Sequence, residues 1–158
     1  MSLEELREQN KRLTVEKGLE LFIKNGVDQT TVKDVATAAG VTERSVYRYF
    51  DSKAELILAS AFLFWERIAK RVEELVSEKS YQGMTGIEQI DIMLRFYANL
   101  YMENPDSVRF ILNCETALYN AGIDPDIQKR PPGRFEDSNS PMVRAIKAGL
   151  ADGSVSPD

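Results

Sequence analysis

TTVKDVATAAGVTERSVYRYFDSK, residues 30–53, is the stretch from which the fold can be read. Thr31 followed by Asp34 has the spacing of a capping box, in which hydroxyl and carboxylate each take a free N–H of a helix start. Val32, Val35, Ala36 and Ala39 then recur at helical spacing and make one apolar face. Gly40 stands where that helix must stop in a left-handed conformation, which glycine adopts without a Cβ clash. Val41 can pack back on the first helix, and Thr42 can cap the next. About two turns later Asp51 and Ser52 end the second helix, and Ser52 with Glu55 repeats the capping-box spacing. A helix, a glycine turn and a second short helix make the helix-turn-helix pattern.

The outward side of the second helix gives this corner its chemistry. Val46, Tyr47 and Phe50 are expected on its inner face, while Arg44, Ser45, Arg48 and Tyr49 point away. Thr42 and Glu43 lie at its exposed start. A guanidinium can fork onto guanine, and hydroxyls and phenols can reach phosphate oxygens. Arg44, Ser45 and Tyr47 are the candidates for base readout, with Arg48 beside them; Tyr47 is placed at the margin, able equally to lie half-buried against Val32. Thr42, Tyr49 and Lys53 are the candidates for phosphate, Lys53 falling in the first turn of the following helix. Thr31 and Lys33, at the start of the first helix, complete the DNA-contacting set. The plainer alternative is an ordinary helical corner with a solvated polar face, and the cap, the exposed Arg/Ser/Tyr set and Lys53 together count against it.

At these residues the chain resembles the tetracycline-repressor (TetR) family of bacterial transcriptional regulators. The likeness begins near Val15, in VEKGLELFIKNGVDQTTV, and runs to about Leu58, roughly the first third of the chain. It implies a repressor that binds a near-palindromic operator as a homodimer and releases it when a small molecule enters the C-terminal part. Gly18 departs from the alanine common in the family, at a cost of roughly 1 kcal/mol in helix stability. The resemblance also implies two further long helices after AIKAGLADGSV, pairing with their mates as a four-helix bundle. The chain stops at Ser156-Pro157-Asp158, where they should begin. It is therefore expected either to lack its C-terminal dimerisation helices or to dimerise through the body helices it has.

The rest of the chain reads as all-α. Residues 3–25 form one helix with Leu19, Phe22 and Ile23 on its buried face and Gly26 as its cap, completing a three-helix head. From Lys53 to about Glu78 there is no breaker, so a connecting helix roughly 39 Å long is expected. It starts in the head and ends in the body, which makes it a candidate lever. SYQGMTG reads as a loop, followed by a helix from about Ile87 to Glu103, with Ile90, Met93, Leu94, Tyr97, Leu100 and Tyr101 on a broad apolar face. A third body helix spans about Asp106 to Asn120, capped by Gly122. IDPDIQKRPPGRFEDSNS reads as a long mobile loop, and Ser140-Pro141 opens a last helix closed by Asp152-Gly153. The expected division is a DNA-binding segment, residues 1–52, and a helical ligand-binding, regulatory segment, residues 53–158.

Composition bounds the alternatives. With 43% hydrophobic and 28% charged residues, the chain of 158 residues is that of a globular protein with a real core. No apolar run reaches membrane-spanning length, since Glu66, Arg67 and Lys70 break the longest, so no membrane partner is expected. The start, MSLEELREQNKRL, is not a signal peptide, and one cysteine, Cys114, fits a reducing cytoplasm. The net charge of −5 is unevenly spread: residues 31–53 carry a balance of +1, so the remainder carries −6. Because charges are screened within about 8 Å in cellular salt, a modest basic patch on an acidic body still suits DNA.

There is no histidine, which removes the commonest general base and metal ligand, and no phosphate-binding glycine loop. The paired carboxylates Glu73 and Glu74, or Asp124 and Asp126, read as a solvated face and a loop. No enzyme activity, metal or cofactor is expected. Phe62, Trp65, Met93, Phe96, Tyr97, Tyr101, Phe110 and Tyr119 are each more simply core, but as a set they suit a partly apolar or aromatic effector. Glu115 falls in the stripe Val108, Ile111, Glu115, Leu118, either paired with Arg95 or Arg109 or serving as counter-charge for a ligand. A reading from another class is a helical small-molecule-binding or interaction module that keeps a vestigial DNA-binding head.

Overall fold

The computed structural model describes residues 2–123 and 140–157. Among them are eight helices and no strand, so the chain is all-α. They are α1 (Leu3–Asn25), α2 (Val32–Ala39), α3 (Glu43–Tyr49), α4 (Lys53–Ser77), α5 (Lys79–Gln82), α6 (Gly86–Glu103), α7 (Pro105–Asn120) and α8 (Pro141–Asp152). The stretch expected as a loop over 123–140, with Asp124 and Asp126, lies outside the described residues except at its two ends. The described chain forms two compact units: everything up to Phe64 together with α7 from Asp106, and Trp65–Pro105 together with the residues from Ser140.

In the first unit α1 packs on α2 and α3, and α2 on α3. Leu19, Phe22, Val27, Val35, Val46 and Leu56 form its centre, none more than 2% exposed. Periodicity could not show what α7 adds. Phe110 stacks on Phe22 with ring centres 6.3 Å apart and meets Phe64 edge-on at 6.2 Å. Cys114 and Leu118, on the same face, are also buried. Gly18 is buried where α1 meets the start of α4: a Cβ there would lie 3.1 Å from Ser60 Oγ.

In the second unit α6 packs on α8 through two glycines. A Cβ on Gly86 would sit 2.0 Å from the Gly149 nitrogen, so the two backbones touch where neither carries a side chain. The contact is tied by polar groups. The Asp152 carboxylate accepts the Gly86 N–H at 2.8 Å, and the Ser154 hydroxyl accepts the Ile87 N–H at 3.0 Å. Both fill donors that a helix start leaves without intrahelical partners. The start of α6 is also closed by a Thr85–Glu88 capping box that the sequence reading passed over. The expected SYQGMTG loop instead contains the single turn α5, because burying Tyr81 and bonding Gln89 Nε2 to the Tyr81 and Met84 carbonyls favour a helical turn there. On α6, Met93 is fully buried, whereas Leu94 and Tyr101, expected on its apolar face, are each 56% exposed.

Candidate nucleic-acid interface

Local chemistry builds the corner from Thr31 to Lys53. The Thr31 hydroxyl accepts the Asp34 N–H, and the Asp34 carboxylate accepts the Thr31 N–H at 2.8 Å. That carboxyl is held below its ordinary value, first by the Thr31 hydroxyl and N–H and then by the charges of Lys33 and Lys53. Gly40 has φ 68°, and the Val41 N–H returns to the Ala36 carbonyl, closing α2 in the left-handed turn that its glycine permits. Thr42 then caps α3 by accepting the Ser45 N–H at 3.1 Å. Val46, 1% exposed, anchors α3 against the other helices, and Phe50 ends it, with Lys11 Nζ 5.9 Å from the ring centre. The Ser52 hydroxyl accepts the Glu55 N–H to open α4, while the Glu55 carboxylate takes the N–H of Asp51, one residue earlier than the expected box.

On the outer face of this corner a short chain of hydrogen bonds runs along α3. Thr42 Oγ1 and Ser45 Oγ are 2.9 Å apart, and Arg48 Nη2 donates to Ser45 Oγ at 3.0 Å. Only one hydroxyl proton can lie between the two oxygens, so the other points elsewhere. Thr31, Lys33, Thr42, Arg44, Tyr47 and Arg48 are exposed, and Ser45, Tyr49 and Lys53 half-buried. Among the described residues no ion pair holds Lys33, Arg44, Arg48 or Lys53. The corner thus faces outward with donors that no ion pair occupies among the described residues, suited to phosphate oxygens and to the acceptor-rich edge of guanine.

The two tyrosines of α3 fare differently. Tyr47, placed at the margin by the sequence, is 48% exposed, while Tyr49, expected outside, is half-buried with its ring edge-on to Phe50. A helix of two turns has too few apolar residues to fix its inward direction by periodicity. A further set was missed altogether. Leu3, Leu6, Arg7 and Asn10 of α1 border, with Arg48 and Tyr49, a cleft of 480 Å³ in the same unit. Their i, i+3, i+4, i+7 spacing was legible, but nothing in it says that α3 lies alongside.

The residues expected to hold an effector divide between the two units. Phe62, Phe110, Glu115 and Tyr119 belong to the first, and Trp65, Met93, Phe96, Tyr97 and Tyr101 to the second. Phe110 and Met93 are core, at 1% and 0% exposed. Phe62, Trp65, Phe96 and Tyr97 are half-buried, Phe96 edge-on to Tyr97 and beneath the Arg71 guanidinium at 5.3 Å. Burial raises the Tyr97 phenol above its ordinary value. Tyr119 is 83% exposed. Glu115 does not lie on a buried stripe: α7 buries Ser107, Phe110, Cys114 and Leu118, one residue round from the expected face, which turns Glu115 outward. A cleft of 460 Å³ in the second unit is bordered by Glu73, Ser77, Tyr81, Gln89 and Arg144, among others.

Comparison with known proteins gives the corner its context. The pattern of "Bacterial regulatory proteins, tetR family" matches residues 15–60. Over 145 residues the chain is 46% identical to the HTH-type transcriptional repressor KstR2 of Rhodococcus jostii (strain RHA1), covering 87% of this chain and 64% of that protein. Over 138 residues it is 30% identical to the fatty acid metabolism regulator protein of Bacillus subtilis (strain 168), covering 85% of this chain and 67% of that one. The chain therefore spans about two thirds of the length of these relatives. In fold it is similar to the solved structure of a gamma-butyrolactone receptor (ArpA-like protein), with a TM-score of 0.58 at 21% identity over 96% of this chain and 73% of that one. With the pattern in its helix-turn-helix and relatives aligned far beyond it, the chain belongs to the tetR family of bacterial regulatory proteins.

Proposed function

We propose that this protein is a transcriptional repressor that binds operator DNA as a homodimer through α3 and responds to a small molecule. The observation that carries the reading is the outward donor face of α3, with Arg44 and Arg48 exposed and in no ion pair among the described residues. Residues 1–52 are the DNA-binding segment and residues 53–158 the regulatory one. Arg44, Ser45 and Tyr47 read bases with Arg48 beside them, and Thr31, Lys33, Thr42, Tyr49 and Lys53 hold the backbone. A dimer presents its two α3 helices about 34–36 Å apart, one turn of B-DNA.

For the ligand half, support comes from half-buried aromatics such as Phe96 and Tyr97 and from a second-unit cleft of a size that suits a small effector. The regulatory relatives are consistent with this reading. An effector acts by its differential affinity for two arrangements of the recognition helices, α4 being the lever.

Footprinting on the intergenic DNA beside the gene, followed by titration of variants, tests the DNA half. Arg44→Ala should cost about 1–3 kcal/mol and relax preference at one base position. Lys53→Ala should weaken all sequences alike and lower the salt slope by about one for each half-site. If both variants bind with wild-type strength, α3 is not the reading helix. If the wild type protects no DNA, the repressor reading itself fails.

A further inference from the structure

The first three turns of α1 precede residues 15–60, where the family pattern lies, and contribute little to the core: its first buried residue is Thr14. They are not featureless. Leu3, Leu6, Arg7 and Asn10 share one face, and Glu4, Glu5 and Glu8 fall on the opposite side of the helix. The helix start is already satisfied, since Ser2 and Glu5 close a reciprocal capping box. What remains to be explained is the sorted face.

That face looks onto the C-terminal end of α3. Leu3, Leu6, Arg7 and Asn10 border a cleft of 480 Å³ whose other wall includes Arg48 and Tyr49. Leu3 is 89% exposed and Leu6 39%, an apolar pair left in water at the helix start. Arg7 is exposed and in no ion pair among the described residues, and Arg48 donates only to the neutral Ser45 hydroxyl among them. Two guanidiniums, a phenol and an amide beside two leucines match the two faces of one nucleotide's backbone. A phosphate would take the donors, and deoxyribose carbons would cover the leucines.

We propose that this cleft holds a backbone phosphate of the operator outside the bases read by α3, with Arg7 as its principal contact. The inference rests on the DNA-binding reading above and extends that interface into α1. The direction follows from docking geometry. A recognition helix meets bases with its N-terminal residues, so its C-terminal end, where Arg48 and Tyr49 stand, is turned towards the wall of the groove. The cleft continues the interface there and carries the complementary charge.

The test uses duplexes selected from a random pool by the whole wild-type chain, prepared with long flanks and trimmed to the selected bases. Arg7→Ala is compared with Arg12→Ala, which removes the same charge from the opposite face of α1. Circular dichroism first establishes that helix content is unchanged. On the long duplex Arg7→Ala should bind about five-fold more weakly and lower the salt slope by about two, one for each protomer of the dimer, with Arg12→Ala close to wild type. On the trimmed duplex wild type and Arg7→Ala should bind alike. Neutral methylphosphonates scanned through the flanks should reproduce the loss at one position in each half-site in wild type and cause none there in Arg7→Ala. Equal salt slopes for wild type and Arg7→Ala on the long duplex, equal losses from both arginines, or an Arg7→Ala loss that survives trimming would each overturn the proposal. Wild-type binding persists in those outcomes, so they leave the repressor reading standing. A wild-type chain that selects no duplex overturns both.

Discussion

Replacing Gly86 by alanine tests how the second unit is held together. The new Cβ would lie 2.0 Å from the Gly149 nitrogen, 2.1 Å from its Cα and 2.8 Å from the Ala145 carbonyl oxygen. All three are backbone atoms, so no rotamer change can make room. Since carbon atoms rest about 3.5–4.0 Å apart, α6 and α8 must separate by roughly 1.5 Å. A shift of that size breaks the 2.8 Å bond from the Gly86 N–H to Asp152 and the 3.0 Å bond from the Ile87 N–H to Ser154. Overpacking of this kind costs about 1–3 kcal/mol, and each lost bond adds about 1 kcal/mol. Alanine returns at most about 1 kcal/mol of helix propensity. The net destabilisation is about 2–4 kcal/mol, or roughly 4–16 °C in unfolding midpoint for a chain of this size. Trp65, the one tryptophan, belongs to the second unit, so its fluorescence during a thermal melt reports on the affected part. Gly83→Ala is the control, because a Cβ there meets nothing nearer than 3.6 Å. A Gly86→Ala protein that melts within 1–2 °C of wild type, by a probe that also registers Gly83→Ala as silent, would refute the close backbone contact.

At Gly18 two opposed effects are expected to cancel. Alanine gains about 1 kcal/mol of helix propensity, but its Cβ would press on Ser60 Oγ at 3.1 Å, and that hydroxyl is held by its 2.8 Å bond to the Leu56 carbonyl. Gly18→Ala should therefore be nearly neutral in wild type and stabilising by about 1 kcal/mol in a Ser60→Ala background. Equal effects in both backgrounds, measured by urea unfolding, would show that Ser60 does not limit the site. On the acid side, Asp34, Glu88 and Asp152 are all held below their ordinary values, led in turn by the hydroxyls of Thr31, Thr85 and Ser154. A depressed folded-state value means stability present above the unfolded values of 3.8 and 4.5 and lost as pH falls through the folded ones. Midpoints followed from pH 7 to pH 3 should hold for these groups above about pH 5 and fall below it, less steeply in Asp152→Asn when read from Trp65. An unchanged acid limb in that variant would dismiss the clasp between α6 and α8 as a contributor.

The helix-turn-helix was legible residue by residue because its determinants are local. Thr31 with Asp34, Gly40 and Thr42 each act on groups within a few positions, so their spacing carries the structure. The bounds of α1 and α8 followed for the same reason, with Gly26 and Gly153 at their ends in positive φ. The direction in which a face points was harder. Glu115 was assigned to a buried stripe that lies one residue round from the real one, because α7 has apolar residues on both candidate faces. Tyr49, expected outside, is half-buried because α3 is too short to carry a periodic signal.

What the sequence by itself determined about this protein is its all-α class, the positions of most helix ends and the helix-turn-helix corner. Each depends on hydrogen bonds and turns spanning three or four residues, and such interactions are written in the order of the chain. Only the tertiary structure decided which faces meet. It placed Phe110 of α7 against Phe22 and Phe64, brought Gly86 onto Gly149, and set Arg7 beside Arg48. Those pairings join residues far apart along the chain, and many alternative partners would satisfy the same apolar pattern. The choice among them is made by shape, by which surfaces can close on one another without voids or overlap, and a one-dimensional pattern does not contain that.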